Sequence, residues 1–213
     1  MKRKLFLALL FAPVFAFAQN EWERPQDKTQ NKSTQTTSKI EKQNPNIDAR
    51  YLEGAVPEIE GKVVFDYEID VPGKTAQEIY DVTYTAIEEL TKGQNQFPES
   101  AIALVNKKEH IIAARFKEWL VFQNSFLSLD RTVFNYTIIA KCYDGKLNLS
   151  LSRINYAYEM NRGAGNGLET TAEKWITDNK AKTKLSKMSG KFRRKTIDRK
   201  DEVFETIKQR LQQ

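Results

Sequence analysis

KVVFDYEIDVPGKTAQEIYDVTYTAIEEL, residues 62–90, changes its hydrophobic period partway along. Val63, Phe65, Tyr67, Ile69 and Val71 alternate with Val64, Asp66, Glu68 and Asp70, the period of two that makes a half-buried strand. Pro72-Gly73 ends that strand. Thr75 and Glu78 then stand at the spacing of a capping box, in which side chain and backbone satisfy each other's orphan groups at a helix start. Ile79, Val82, Ala86, Ile87 and Leu90 share one helical face, and Gly93 stands where such a helix stops. The domain thus opens with a strand that feeds directly into an amphipathic helix.

Downstream the period of two returns. Ala101–Asn106 and Glu109–Lys117 read as a hairpin around Lys107-Lys108, and Trp119–Phe122 either extends the second strand or starts a short extra one. Thr132, Phe134, Tyr136, Ile138, Ala140 and Cys142 share a face of Arg131–Tyr143, and Asp144-Gly145 is a two-residue hairpin signal. Leu147, Leu149 and Leu151 are followed by Ile154, Tyr156 and Tyr158, so the apolar phase slips by one near Ser152-Arg153. A β-bulge there keeps both sets on one face. Arg162–Gly167 reads as a loop. Thr170 and Glu173 repeat the capping-box spacing before the stripe of Ala172, Trp175 and Ile176; after a lysine-rich connector, Asp198 caps a last helix carrying Val203, Phe204, Ile207 and Leu211. The order β-α-β-β-β-β-α-α predicts an α+β domain, an antiparallel sheet with helices on one face.

Upstream, residues 49–61 hold Tyr51, Leu52 and Val56 and read as an arm packed on the domain of residues 62–213. Residues 19–48 are rich in Gln, Asn, Thr, Ser and Lys, with too little apolar surface to offset the entropy of ordering, and read as a polar linker. Residues 1–18, MKRKLFLALLFAPVFAFA, have a basic start, an apolar run and an Ala-Phe-Ala end, the pattern of a cleaved signal peptide. That reading makes the protein an exported one, in the periplasm or outside the cell, with no transmembrane segment left in the mature chain. Of 213 residues, 40% are hydrophobic and 11% aromatic, enough for a packed core. One Cys and one His exclude a disulfide framework and any Cys/His metal cluster built by this chain alone.

Several phrases carry a family resemblance: EIDVPGKTAQEIYD (Glu68–Asp81), SLDRTVFNYTIIAKCYDGK (Ser128–Lys146), RINYAYE (Arg153–Glu159), TAEKWITD (Thr171–Asp178) and GKFRRKTIDRKDEVFE (Gly190–Glu205). Over about residues 50–212 the chain resembles the domain-of-unknown-function family with a TBP-like fold, found in exported proteins of Bacteroidetes. The resemblance implies a TBP-like two-layer fold and export. It carries no activity or site residue, and the likeness to the TATA-binding protein is one of shape, which does not license DNA binding.

Charge is distributed unevenly. The net charge of +6 falls to +3 when the three cations before Ala18 are removed, yet Lys174–Lys200 alone holds eleven bases against two acids. Two readings stand: a face for an anionic envelope component or an acidic protein, with Lys191, Arg193, Arg194 and Lys195 as its centre, or an internal clamp in which these cations meet the acidic strand Asp66, Glu68 and Asp70. Nucleic acid is not expected as a partner of an exported protein. His110 reads as a core or strand-end residue, and Cys142 as a buried inert thiol without an activating partner. The glycines at 163, 165 and 167 lack the G-x-G-x-x-G spacing of a nucleotide loop. The carboxylates Asp66/Glu68/Asp70, Glu88/Glu89 and Asp201/Glu202 are not spaced to face one another across a cleft, as glycosidase chemistry requires. No cofactor, metal site or catalytic set is expected. The expected function is an exported, non-catalytic binding module of the bacterial envelope. The alternative is a periplasmic carrier of a small apolar ligand, lined by Phe134, Tyr136, Tyr156, Tyr158 and Trp175.

Overall fold

The computed structural model describes residues 49–126, 128–159, 167–179 and 187–213. The expected signal peptide, the linker and all of the loop Arg162–Gly167 but its last residue lie outside them.

The strands are β1 (Glu58–Ile59), β2 (Lys62–Asp70), β3 (Ala101–Asn106), β4 (Ile111–Ser125), β5 (Ser128–Tyr143), β6 (Lys146–Tyr158) and β7 (Leu168–Thr171). They form one sheet in the order β1-β2-β6-β5-β4-β3, with β7 on β6, and every pairing is antiparallel. Helices α1 (Ala76–Thr91) and α3 (Lys187–Leu211), with the short α2 (Ala172–Trp175), make the second layer. The chain thus has the α+β, TBP-like arrangement, with its helices packed on one face of the sheet.

The period change at residue 70 produces what its chemistry requires. Val63, Phe65 and Ile69 are buried while Asp66, Glu68 and Asp70 are exposed. The α1 capping box is complete: Thr75 Oγ1 accepts from the Glu78 N–H and the Thr75 N–H donates to Glu78 Oε2 at 2.8 Å. Gly145, at φ +72°, makes the β5–β6 turn. Its carbonyl accepts from the Val71 N–H at 2.8 Å and its N–H donates to the Lys74 carbonyl at 2.9 Å, so this turn and the β2–α1 turn hold each other. The β6 bulge is present too. Asn135 pairs with Asn155 but Thr137 with Ser152, and Arg153 takes a left-handed φ of 56°. Leu151 and Ile154 therefore both reach the core.

The structure makes two expectations more specific and overturns two. Trp119–Phe122 extends β4, which runs through Ser125 and pairs with β5 to Ser128. The arm carries secondary structure of its own: a 3-10 turn (Ala49–Tyr51) leads to β1, which adds to the sheet beside β2, and Val56 is buried. Thr170 belongs to β7, opposite Tyr156, and α2 begins after Thr171 without a side-chain cap; Glu173 instead accepts from the Val63 N–H at 3.1 Å. The last helix starts at Lys187 and not at Asp198. Phe192, Thr196 and Ile197 extend its buried face one helical repeat after another, so the basic residues between them do not interrupt it.

The core lies between the layers. Ile79, Tyr80, Thr83, Ala86 and Ile87 of α1 and Phe192, Ile197, Val203, Phe204, Ile207 and Leu211 of α3 cover the inner residues of β2, β4, β5 and β6. Among the described residues no helix is long and apolar enough to cross a membrane.

Candidate functional site

The helical period scatters the four basic residues of the expected anion-binding centre. Arg193, next to Phe192 on the inner side of α3, is 1% exposed. Its guanidinium donates to the carbonyls of Tyr51 (2.8 Å), Leu52 (2.6 Å) and Ile176 (2.6 Å) and to Asp178 Oδ1 (2.6 Å). One planar fork thereby ties the arm, the end of α2 and α3 together. Lys191 Nζ meets Asp130 Oδ2 at 2.7 Å and the Tyr158 hydroxyl at 3.0 Å, and lies 4.6 Å from the Phe122 ring centre. It fastens the turn end of the β4–β5 hairpin to α3. Arg194 is exposed and Lys195 half-buried. The four therefore share no common face, and Arg193 is wholly occupied within the fold. The internal clamp is real, but its acids are Asp178 and Asp130; Glu68 pairs with Lys146 at 2.8 Å.

Lys195 does line a cleft, of about 550 Å3, between α3, the end of α1 and the outer edge of β4. Its floor holds a buried carboxylate. On β4 the inward series Ile112, Ala114, Phe116, Leu120 is broken by Glu118, which is 2% exposed. Arg199 grips it bidentately, Nε to Oε1 at 2.8 Å and Nη2 to Oε2 at 2.9 Å, the strong geometry for this pair. The Tyr136 hydroxyl donates to Oε1 at 3.0 Å, and Gln96 Nε2 donates to Oε2. Burial, and then the Glu118 charge, push the Tyr136 hydroxyl well above its ordinary pKa, so it stays a neutral donor. Burial opposes the charge on Arg199, but its bonds to Glu118 and the Glu118 charge hold it firmly protonated.

The remaining carboxylates of the lining are paired as well. Glu202 meets Arg199 at 2.9 Å, Glu89 meets Arg210 at 2.5 Å and Asp198 meets Arg50 at 3.3 Å. Lys195 has no ion-pair or hydrogen-bond partner among the described residues, while Glu118 and Glu202 share the single cation Arg199. A strand that ends at Lys117, as the alternation alone suggests, hides both Glu118 and Arg199. A carboxylate at an inward strand position, once the strand is continued, is the signal that marks them.

The other candidates are structural. Phe134, Tyr136, Tyr156 and Tyr158 are buried core. Phe116 stacks on Tyr136 at 4.9 Å, and Phe192 stands edge-on to Tyr156 at 5.0 Å and to Trp175 at 6.2 Å, so these rings fill one another's space. Burial pushes the Cys142 thiol up to about 12. His110 ends the β3–β4 turn at φ +52°, with Nε2 3.2 Å from Gln77 Oε1. Among the described residues no group of His, Cys, Asp and Glu is placed to hold a metal ion.

The model of a domain of unknown function with TBP-like fold, DUF4468, matches residues 65–157. No curated protein matches. The chain is similar to a DUF4468 family protein from Bacteroides ovatus ATCC 8483, solved by crystallography, at 39% identity and a TM-score of 0.69, over 78% of this chain and 95% of that one. It is similar in fold to a TBP-like protein from Parabacteroides distasonis ATCC 8503 at 19% identity and a TM-score of 0.60, over 74% of this chain and 97% of that one.

Proposed function

This chain belongs to the DUF4468 family of TBP-like fold, and from that premise we propose that it is an exported, non-catalytic binding module of the bacterial envelope, whose site is the cleft beside β4 and whose partner presents an anionic group. The observation that carries this reading is the Lys195 ammonium, which lines the cleft without an ion-pair or hydrogen-bond partner among the described residues. A cation that lacks a direct partner in a preformed polar cleft is a place for an anionic group. Export rests on the basic start, apolar run and Ala-Phe-Ala end of residues 1–18. The carrier alternative draws no support from the aromatic residues, since their rings pack against each other and α3.

The test is binding of polyglutamate and of lipopolysaccharide by protein recovered from the envelope fraction, whose chain should begin at Gln19. Lys195→Glu should weaken binding by about tenfold, and added salt should weaken the wild type. Arg194→Gln, outside the cleft, should change binding far less. Equal losses at Lys195 and Arg194 would mean a diffuse charge effect and no site.

A further inference from the structure

β4 and β5 run on past the rest of the sheet. β3 pairs with β4 only as far as Arg115, the turn after α1 bonds to β4 only as far as Trp119, and β6 leaves β5 at Thr132. Beyond the bulge at Phe122, the pairs Gln123–Asp130, Asn124–Leu129 and Ser125–Ser128 have no other strand beside them among the described residues. The hairpin therefore ends in a two-stranded finger. Phe126, in its turn, is fully exposed, and Leu129 is exposed on its flank. Residues 122–129, FQNSFLSL, hold no charged side chain. At the root of the finger the character changes. Phe122 packs on Phe192 of α3, ring centres 4.7 Å apart. Lys191 Nζ lies 4.4 Å from the Tyr158 ring centre, and the Arg131 guanidinium 3.8 Å from the Trp119 ring centre. Asp130 and Glu159 both bond to the Tyr158 hydroxyl, so these two cations stand beside two acids.

We infer that the finger docks on a lipid bilayer: it enters the headgroup layer, with Phe126 and Leu129 at the acyl boundary and Lys191 and Arg131 at headgroup level. The apolar groups sit on a projection, one at the tip and one on the flank, so they suit a fluid surface that imposes no pocket shape. Three strand pairs at about 3.4 Å each reach about 10 Å, the depth at which interfacial segments lie. Cross-strand bonds satisfy the backbone groups between β4 and β5. The outer edges of the two strands still need water or headgroups, so the finger stops in the interface and does not span the bilayer. Cations whose heads rest on aromatic rings, as Lys191 and Arg131 do, are the side chains that a headgroup layer accommodates. Because the charges at the root balance, the attachment is driven by apolar burial. The inference concerns a surface apart from the cleft lining at Lys195 and does not rest on the cleft reading.

The test is co-sedimentation of the full mature chain with vesicles of phosphatidylcholine alone. The wild type should pellet with them, and Phe126→Ser should weaken binding about tenfold. Phe126→Leu should retain most of it. Phe126 is fully exposed, so neither variant removes a packing contact from the fold. Phe126→Trp should add fluorescence that acyl-brominated lipids quench, beyond any quenching of the tryptophans in the wild type. Lys195→Glu should leave binding to these neutral vesicles unchanged. Wild-type protein left in the supernatant, or Phe126→Ser that pellets as well as the wild type, would overturn the inference. Binding confined to vesicles that contain phosphatidylglycerol, and lost in Lys195→Glu, would overturn it too and leave the anion-binding cleft standing. A dimer in vesicle-free sedimentation that Phe126→Ser dissociates would put a second copy on the tip in place of lipid, and would equally overturn it.

Discussion

Arg193 and Arg194 are neighbours in one basic run, yet they belong to different parts of the molecule. The Arg193 fork satisfies three backbone carbonyls and the Asp178 carboxylate inside the fold. Arg193→Met removes the donors and leaves those acceptors away from water, so it should cost about 2–4 kcal/mol. Arg193→Lys keeps the charge but cannot reproduce the fork, and should recover only part of that. Arg194→Gln, at an exposed site, should change stability by less than about 0.5 kcal/mol. Urea denaturation of the three variants decides it, and similar losses at both arginines would refute the clamp. Nothing in the local sequence distinguishes the two residues. Which one turns inward depends on the helical phase set by Phe192 and Ile197, both buried.

At the scale of elements, α1 is the most self-contained. Its start is closed by the reciprocal bonds of Thr75 and Glu78. The Thr75 backbone N–H and then its hydroxyl, both bonded to the Glu78 carboxylate, hold that carboxyl below its ordinary pKa. A depressed folded-state pKa means that the contribution is present above the unfolded carboxylate pKa and is lost as pH falls through the folded value. Thr75→Ala should therefore lower stability at neutral pH by about 1 kcal/mol, and the gap from wild type should narrow on acidification below the usual carboxylate range. Melting curves of both proteins across that range would show it; a gap that widens in acid would contradict the capping argument. This element is legible in the sequence because the two residues of its capping box, Thr75 and Glu78, lie three positions apart. The long α3 is not: its first half is highly basic, and its inward face becomes evident only when Phe192, Thr196 and Ile197 are joined to Val203 and Phe204.

Over the whole molecule, distant segments meet on α3. The arm is held by Arg193 through the Tyr51 and Leu52 carbonyls, by the Tyr51 hydroxyl on Asp198 at 2.6 Å, and by β1 on β2. Limited proteolysis should leave a core that retains the arm in the wild type, whereas Arg193→Gln should expose Arg50 and Glu53 to cleavage. Retention of the arm by the variant would show that β1 and Val56 suffice to hold it. The sequence by itself determined the layer architecture, α1, the Asp144-Gly145 turn and the β6 bulge, because short-range periodicity and turn chemistry act between near neighbours. Only the tertiary structure decided that Arg193 serves the core, that Lys195 faces a cleft, and that Glu118 lies under Arg199 on its floor. Those roles depend on contacts between residues far apart in the chain, whose pairing is set by how β4, the arm and α3 pack.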